Sequence, residues 1–191
     1  PMNPAFRRNA SKGAVIRRLR DVSCGPNPSQ GKGDSGGTSM FNRRTRSRQV
    51  AITHFTPQII GRAEGRSAVL SAAYRHSARM DYEAEARTVD YANKQGLAHE
   101  EFLLPADAPQ WARTLIADRS VAGAAEAFWN RVEAFEKRSD AQFAKEFIIA
   151  LPVELSKEQN IALVRQFVLE QVLARGQVAD WVFHDDPGNP H

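Results

Sequence analysis

The clearest hydrophobic pattern of the chain lies towards its C-terminal end and predicts a helix. Ser156 and Gln159 have the spacing of a capping box, in which each side chain bonds the backbone of the other residue. Apolar residues then repeat on one helix face, at Ile161, Val164, Val168 and Val172. Gly176 stands where a C-terminal cap belongs, so we expect the helix to end there.

Three earlier segments also have apolar residues at helical spacing. They are Arg66 to Arg79, Trp111 to Asp118 and Ala122 to Arg138. Ser67 is a candidate cap for the first of them, and Phe128, Val132 and Phe135 form an apolar stripe along the third. The pattern therefore predicts three helices before the capping-box helix.

Alternation of apolar and polar residues predicts the strands. They are Ala51 to Thr56, Leu97 to Leu104, a strand from about Glu146 that stops at Pro152, and Val178 to Phe183. The third is ambiguous, since its Phe and Ile residues favour a strand while its start could also continue a helix. Residues 81 to 97 mix charged and aromatic residues and are predicted to be irregular. Strands separated by helices, with no glycine-rich phosphate loop, predict an α+β domain with a mostly antiparallel central sheet flanked by helices.

Residues 1 to 49 differ in character from the rest of the chain. They are rich in Arg, Gly, Ser, Asn and Pro, with few large apolar residues outside Ala14 to Leu19. Such a segment cannot bury enough surface to offset the entropy of ordering, so we expect a disordered basic arm before a folded domain at residues 50 to 191. The arm either follows DNA phosphates through its arginines or is not native to the protein, and the abrupt start of patterned sequence at Val50 favours the second interpretation.

The net charge of +4 hides opposite charges in the two parts of the chain. Residues 1 to 49 contain eleven Lys or Arg and two acids, whereas the other 142 residues contain fifteen Lys or Arg and twenty acids. Any affinity of the domain for DNA must therefore come from a local patch. The single cysteine excludes a disulfide framework, and the sequence has no apolar run of about 18 residues that would span a membrane. Because the first residues lack the pattern of a secretory signal, we expect a cytoplasmic protein.

The last residues of the chain combine two histidines with a tight turn. His184 follows the last predicted strand, residues 185 to 190 have turn-forming composition, and His191 follows them. A hairpin with one imidazole on each side of its bend can bring both to one metal ion. The alternative is a pair of polar residues on a solvated loop, and Asp185 and Asp186 are better explained as turn residues than as ligands.

A tyrosine on the first predicted helix adds a second reactive group. A phenol can attack a phosphodiester when a divalent cation polarises the phosphate, and histidine ligands suit Mn²⁺ or Zn²⁺. Tyr74 together with a histidine-bound metal therefore indicates nicking or transfer of a DNA strand. The alternative is a half-buried core tyrosine. Tyr82 and Tyr91 are the other candidate nucleophiles, in a segment where aromatic rings could also stack on extruded bases.

Seven ordered motifs resemble a known family. They are residues 51–55, 66–75, 99–105, 128–130, 136–142, 149–152 and 184–191. Together they resemble the N-terminal nicking domain of MobA/MobL relaxases, and in particular of TraA-type conjugal transfer proteins, which join such a domain to a helicase. The resemblance covers Val50 to His191 and leaves residues 1 to 49 unmatched.

The resemblance implies a metal-dependent endonuclease with a histidine cluster on the central strands of an antiparallel sheet. Such an enzyme nicks one strand of plasmid DNA at an origin of transfer, keeps the 5′ end as a phosphotyrosine, and works with conjugation accessory and coupling proteins. By position, Tyr74 corresponds to the nucleophile, and His184 and His191 correspond to ligands of a divalent metal, Mn²⁺, Mg²⁺ or Zn²⁺. The family motif continues with a further histidine, so we expect a truncated fragment that binds metal weakly and does not cleave DNA.

Four other residues each have two interpretations. Glu146 orients a ligand imidazole or assists deprotonation of the tyrosine, or else forms an ion pair with a neighbouring base. Arg66, Arg75 and Arg79 either contact DNA phosphates or lie on a solvated helix face.

Three further polar residues complete the candidate set. Asp180 shares a strand face with His184 and is a weaker candidate for orienting it. His54 is either a satisfied core histidine or a neighbour of the metal, and His76 is expected at the surface. Two functions follow from these alternatives, namely a nicking enzyme and a non-catalytic DNA-binding or interaction domain.

Overall fold

A computed structural model describes residues 13 to 18, 55 to 152 and 154 to 185. The strands are β1 (Gly13–Arg18), β2 (Phe55–Gly61), β3 (Arg79–Tyr82), β4 (Arg87–Asp90), β5 (Leu97–Leu103), β6 (Gln142–Ile149) and β7 (Gln177–His184). The helices are α1 (Ala68–Arg75), α2 (Gln110–Ile116), α3 (Val121–Phe135) and α4 (Lys157–Gln171). Five strands form one sheet in the order β2-β6-β1-β7-β5, and β3 and β4 form a separate hairpin.

The five-stranded sheet is antiparallel at every pairing and has a hydrophobic core on each face. Successive side chains of a strand point to opposite faces, and β7 shows the consequence. Val178 belongs to the core formed with α1 and α3, whereas Ala179 and Trp181 belong to the core formed with α4. The predicted α+β fold with a mostly antiparallel sheet between helices is confirmed.

Strand β1 lies in the middle of the sheet, between β6 and β7. Val15 is opposite Glu146 on one side and Asp180 on the other. For these six residues the structure differs from the expected disordered arm. The physical reason is that they belong to the most apolar run of the arm, and their backbone groups pair with two strands that would otherwise have unpaired edges. The other residues of the arm, and the predicted boundary at Val50, lie outside the described residues.

Helix α1 begins as predicted but ends earlier. The side chain of its cap, Ser67, accepts a hydrogen bond from the backbone N–H of Leu70. The helix ends at Arg75 instead of the predicted Arg79, because Ser77 has a left-handed φ of 49° and Arg79 already pairs with Asp90 in the β3–β4 hairpin. This hairpin occupies part of the segment that was predicted to be irregular, and its many charged residues concealed the alternation.

Strand β2 (Phe55–Gly61) shares only Phe55 and Thr56 with the predicted strand Ala51 to Thr56, because it continues to Gly61; residues 51 to 54 lie outside the described residues. The remaining elements agree with the predicted ones to within a few residues, with two further differences. The capping box of α4 is present, and Gly176 adopts a left-handed φ of 70° after a short 3-10 turn. Strand β6 begins at Gln142, earlier than predicted, so the strand interpretation of this segment is confirmed. The apolar stripe of α3 ends at Val132, since Phe135 is 80% exposed. None of the helices in the described ranges combines the length and the apolar character needed to cross a membrane.

Candidate active site

The end of α1 and the end of β7 meet on the face of the sheet that α3 covers. Tyr74 lies in the last turn of α1, and His184 is the last residue of β7. Lys94, in the loop between β4 and β5, lies between them. Its Nζ is 4.6 Å from the centroid of the Tyr74 ring and 3.3 Å from each ring nitrogen of His184.

The Tyr74 side chain is half-buried and packs against a second aromatic ring. The Tyr91 ring meets it edge-on, with 5.3 Å between the ring centroids. Burial, and after it the proximity of Tyr91, raises the pKa of the Tyr74 phenol above its ordinary value. The phenol is therefore protonated at neutral pH in this state of the protein.

The His184 side chain is buried and has a fixed orientation. Its Nε2 is 2.8 Å from the backbone carbonyl oxygen of Arg75. A carbonyl only accepts hydrogen bonds, so Nε2 donates and Nδ1 is unprotonated, with the Lys94 ammonium group 3.3 Å from it. Burial first, and then the charge of Lys94, lowers the pKa of His184 to about 4. A neutral imidazole held by a backbone carbonyl is the usual state of a histidine that binds a metal.

A buried charged cluster lies beneath these residues, and we call it the Asp180 cluster. It comprises Asp180, Arg75, His76, Trp129, Glu100, Glu146 and Arg66. The Asp180 carboxylate is fully buried and accepts hydrogen bonds from Arg75 Nη2 at 2.9 Å, His76 Nε2 at 2.6 Å and Trp129 Nε1 at 2.7 Å. It therefore ties α1, α3 and β7 together immediately below Tyr74 and His184.

The Asp180 cluster also contains three residues that the sequence analysis selected as site candidates, namely Glu146, Arg66 and Arg75. Glu146 lies 3.3 Å from Arg75 Nη1 through one carboxylate oxygen and 2.7 Å from Arg66 Nη2 through the other. Both oxygens accept from guanidinium groups, which favours the ion-pair interpretation of Glu146 over a free base. Arg75 is only 5% exposed and points into the protein, not towards solvent. The Arg75 guanidinium group therefore forms ion pairs inside the protein, whereas Arg79 is exposed on β3.

His76 was expected at the surface, and this expectation was wrong. The residue is 2% exposed, and its Nδ1 lies 2.6 Å from Glu100 Oε2 while Nε2 bonds Asp180. Burial lowers its pKa, but the charge and hydrogen bond of Asp180 outweigh this and raise the pKa of His76 to about 9. Burial likewise opposes ionisation of Asp180, yet His76 and Arg75 hold the pKa of that carboxyl well below its usual range. Both partners are charged at neutral pH.

This pairing predicts a pH dependence of stability. The unfolded pKa of a histidine is about 6.5, and the folded pKa of His76 is about 9. The protonated His76 therefore makes its full contribution to the free energy of unfolding below pH 6.5 and loses it as the pH rises through 9. The full contribution is on the order of 3 kcal/mol. Urea unfolding of the chain at intervals from pH 6 to 10 should show this fall. The same series on His76→Gln should lack it, and an equal slope in both proteins would contradict the assignment.

The other candidate residues are placed as follows. Tyr82 is buried, and its hydroxyl donates to Glu133 at 3.2 Å, which removes it from solvent. The backbone N–H of Asp185 donates to the Gly96 carbonyl at 2.7 Å. His54, Asp186 and His191 lie outside the described residues. Within the ranges that the structure describes, no three His, Cys, Asp or Glu residues form a metal-binding group, so His184 is the candidate ligand placed there.

Three residues of the site were not selected from the sequence. Lys94 had no local signal, because it lies in a loop between two short strands. Trp129 and Glu100 also gave no sign of contacting the site. A signal did exist for the Asp180 cluster as a whole, since a carboxylate within an apolar strand must have buried partners.

Comparison with known proteins gives a consistent set of similarities. The model of the MobA/MobL family matches residues 66–191. The conjugal transfer protein TraA of Rhizobium radiobacter is 70% identical over 142 residues, which is 74% of this chain and 13% of that protein. The mobilization protein MobL of Acidithiobacillus ferridurans is 36% identical over 135 residues, covering 71% of this chain and 32% of that protein.

One solved structure is similar in fold as well as in sequence. It comes from work on the molecular basis of vancomycin resistance transfer in Staphylococcus aureus. It has a TM-score of 0.53 and 26% sequence identity, covering 73% of this chain and 74% of the other. This chain spans only 13% of the length of the TraA protein that it matches.

Proposed function

Because this chain belongs to the MobA/MobL family, whose relatives include conjugal transfer and mobilization proteins, we propose that it is a relaxase nicking domain. Such a domain cleaves one strand of plasmid DNA at an origin of transfer and retains the new 5′ end on Tyr74, and we expect this activity of an extended chain and not of the 191-residue chain alone. The observation that supports this proposal best is the meeting of a half-buried tyrosine, a lysine and a neutral histidine at one place on the sheet.

The chemistry assigned to Tyr74 is a phosphoryl transfer. The phenol oxygen attacks the phosphorus atom, a bond forms between them, and the bond from phosphorus to the 3′ oxygen breaks. The phenol proton is released to solvent, and the leaving 3′ oxygen takes up a proton to become a hydroxyl group. The reverse step rejoins the strand, since the phosphotyrosine preserves the energy of the phosphodiester.

The cofactor that we propose is a divalent metal, Mn²⁺ or Mg²⁺ with Zn²⁺ as an alternative, held by His184 and His191. The orientation of His184 fits this role, because Nε2 donates to the Arg75 carbonyl and Nδ1 is unprotonated. A metal on Nδ1 would take the place of the Lys94 ammonium group, which lies 3.3 Å from that nitrogen. A bound divalent cation would polarise the phosphate that the phenol attacks.

Metal binding by this chain is expected to be weak. Two imidazoles make a poor site, and a third ligand adds both affinity and rigidity. Calorimetric titration of Mn²⁺ should give a tighter site when the chain is extended by the residues that follow this region in the R. radiobacter TraA protein. We expect an improvement of about 10-fold to 100-fold. Equal affinities would show that the metal is held by other residues.

The DNA contacts that we propose differ among the three arginines. Arg79 is exposed and can reach a phosphate. Arg66 and Arg75 are bonded to Glu146, and Arg75 also to Asp180, so their part is to position α1 and not to bind the backbone of DNA. The partners in this proposal are origin DNA in supercoiled or single-stranded form and the accessory and coupling proteins of conjugation, all met in the cytoplasm.

The test of the proposal is a covalent adduct. Supercoiled plasmid with the origin of transfer recognised by the R. radiobacter TraA protein is incubated with Mn²⁺ and the extended chain, and the protein is then denatured. Relaxed plasmid with protein attached at a 5′ end is the expected product, and the 191-residue chain is the matched comparison. Specific DNA binding without any adduct in the extended chain would instead favour the non-catalytic DNA-binding alternative.

A further inference from the structure

Strand β7 has a neighbour on each side, and the two pairings end at different places. On one side, β5 pairs with β7 as far as its last residue, since Leu97 is opposite His184. On the other side, the pairing with β1 runs only from Gln177 to Trp181. In the part of the chain that the structure describes, residues 182 to 184 therefore pair with β5 but with no strand on the β1 side.

The hairpin predicted after β7 needs an edge of β7 for its second strand. Residues 185 to 190 have turn-forming composition, so a strand that follows them runs back alongside β7. The β5 side is occupied to the end of β7. A returning strand therefore starts to pair with residues 182 to 184 on the other side, and from Trp181 onwards it meets β1.

Strand β1 fills a space that the fold requires to be filled. Strands β6 and β7 both pair with β1 and not with each other, and we call the space between them the central slot. The family model matches residues 66–191, which include β6 and β7 but not β1. A domain of this family that lacks a counterpart of β1 has to fill the central slot from another part of its chain, because buried backbone groups need partners.

The two candidate occupants differ in how they are attached. Residues 19 to 54 join β1 to β2, whereas residues 185 to 190 would join β7 to a strand that begins at His191. The probability of closing a loop falls with about the 3/2 power of its length, which favours the shorter connection by roughly tenfold. The hairpin strand therefore combines a short connection with an unobstructed place to start pairing.

We propose that the central slot is a strand-binding site whose occupant in the extended chain is the segment that begins at His191. Gly13–Arg18 occupies the slot only when that segment is too short to form a strand. Binding is by backbone hydrogen bonds to the two flanking strands, so occupants of different sequence fit the same slot. In the extended chain, the returning strand pairs first with residues 182 to 184 and then displaces β1 from residue 181 back to residue 177.

A disulfide between β1 and β7 reports which strand occupies the central slot. Arg18 is opposite Gln177, at the end of this pairing that is remote from His184. Cysteines at opposite positions of an antiparallel pair lie within the distance that a disulfide needs. With Cys24→Ser in the background, Arg18→Cys together with Gln177→Cys should crosslink nearly completely in the 191-residue chain. In the extended chain the crosslinked fraction should be lower by roughly tenfold or more.

The matched control is a cysteine pair in the separate β3–β4 hairpin. Asp81 is opposite Thr88 there, and both residues are exposed. Asp81→Cys together with Thr88→Cys should crosslink to the same extent in the two chains. An Arg18–Gln177 crosslink that forms equally in both chains, or in neither of them, overturns the proposal.

A proline in β1 gives a second test that needs no cysteine. Val15 lies between a residue of β6 and a residue of β7, and proline in a central strand removes a hydrogen bond of the ladder. In the 191-residue chain, Val15→Pro should speed amide hydrogen exchange at residues 145–148 and 177–181 by about 100-fold. In the extended chain it should change nothing. Val22→Pro, in the same arm but outside β1, should leave this exchange unaltered in both chains.

The exchange measurements also detect the incoming strand. Amides of residues 182 to 184 that point away from β5 should exchange roughly tenfold more slowly in the extended chain than in the 191-residue chain. Equal acceleration by Val15→Pro in the two chains, or none in the 191-residue chain, contradicts the exchange of strands. Neither measurement uses DNA or a metal ion, so the result is independent of the proposed nicking function.

Discussion

Replacing Tyr74 by phenylalanine is expected to abolish the covalent adduct between the extended chain and origin DNA while leaving DNA binding intact. The substitution removes one oxygen atom and keeps the ring that contacts Tyr91 and Lys94. Loss of a nucleophile typically lowers the rate of the reaction by roughly 10⁴-fold or more, because the remaining groups bind the substrate but cannot form the covalent bond. Adduct is measured by denaturing gel after incubation with Mn²⁺, and binding by titration of the same oligonucleotide.

The controls for this result are the other two tyrosines of the region. Tyr91→Phe keeps the edge-on ring and should form adduct at close to the normal rate. Tyr82→Phe loses the hydrogen bond to the buried Glu133 and should lower stability by about 1 kcal/mol without changing the chemistry. If Tyr74→Phe still forms adduct at the normal rate while Tyr91→Phe does not, the nucleophile is Tyr91 and the geometry has been assigned to the wrong ring.

The second large effect is expected from Asp180. Asp180→Ala leaves Arg75 and His76 as buried cations without their shared carboxylate, and it leaves the Trp129 N–H without its acceptor. Breaking a buried ion pair by removing one partner costs about 3 to 5 kcal/mol. Because Arg75 and His76 belong to the end of α1, the loss should also loosen Tyr74. The free energy of unfolding in urea measures the first effect, and adduct formation in the extended chain measures the second.

Two comparison variants sharpen this prediction. Asp180→Asn keeps the size of the side chain and one acceptor oxygen, so it should destabilise the protein less than alanine does. Asp140→Ala removes an exposed carboxylate that pairs with Arg138 at the surface, and it should be close to neutral. A loss for Asp180→Ala no greater than that for Asp140→Ala would mean that the buried cluster contributes little.

Local sequence patterns predicted the secondary structure well wherever the deciding contacts join residues that are close in sequence. The capping box at Ser156 and Gln159 and the cap at Ser67 lie within one turn of helix, so the residues that decide them are neighbours in sequence. The predictions that failed involve partners that are distant in sequence. Helix α1 stops early because Arg79 pairs with Asp90, and Gly13–Arg18 is a strand because β6 and β7 flank it.

For the candidate site, too, the sequence indicated what depends on short local motifs but not the contacts between distant residues. The order of the motifs from residue 51 to 191 was enough to indicate the family, because each motif is a short local string, and the family match confirms it. The same strings indicated Tyr74 and His184 as chemical groups, although their roles remain proposals. They could not indicate what either side chain touches.

The sequence by itself determined the fold class, the family and the helix N-caps at Ser67 and Ser156, since all of these depend on residues a few positions apart or on their order. Only the tertiary structure decided that His76 is buried and charged, that Glu146 is held between two arginines, and that Lys94 lies between Tyr74 and His184. The physical reason is distance along the chain. Arg75 and Asp180 are 105 positions apart, and a contact of that kind leaves no periodicity that either strand or helix spacing could reveal.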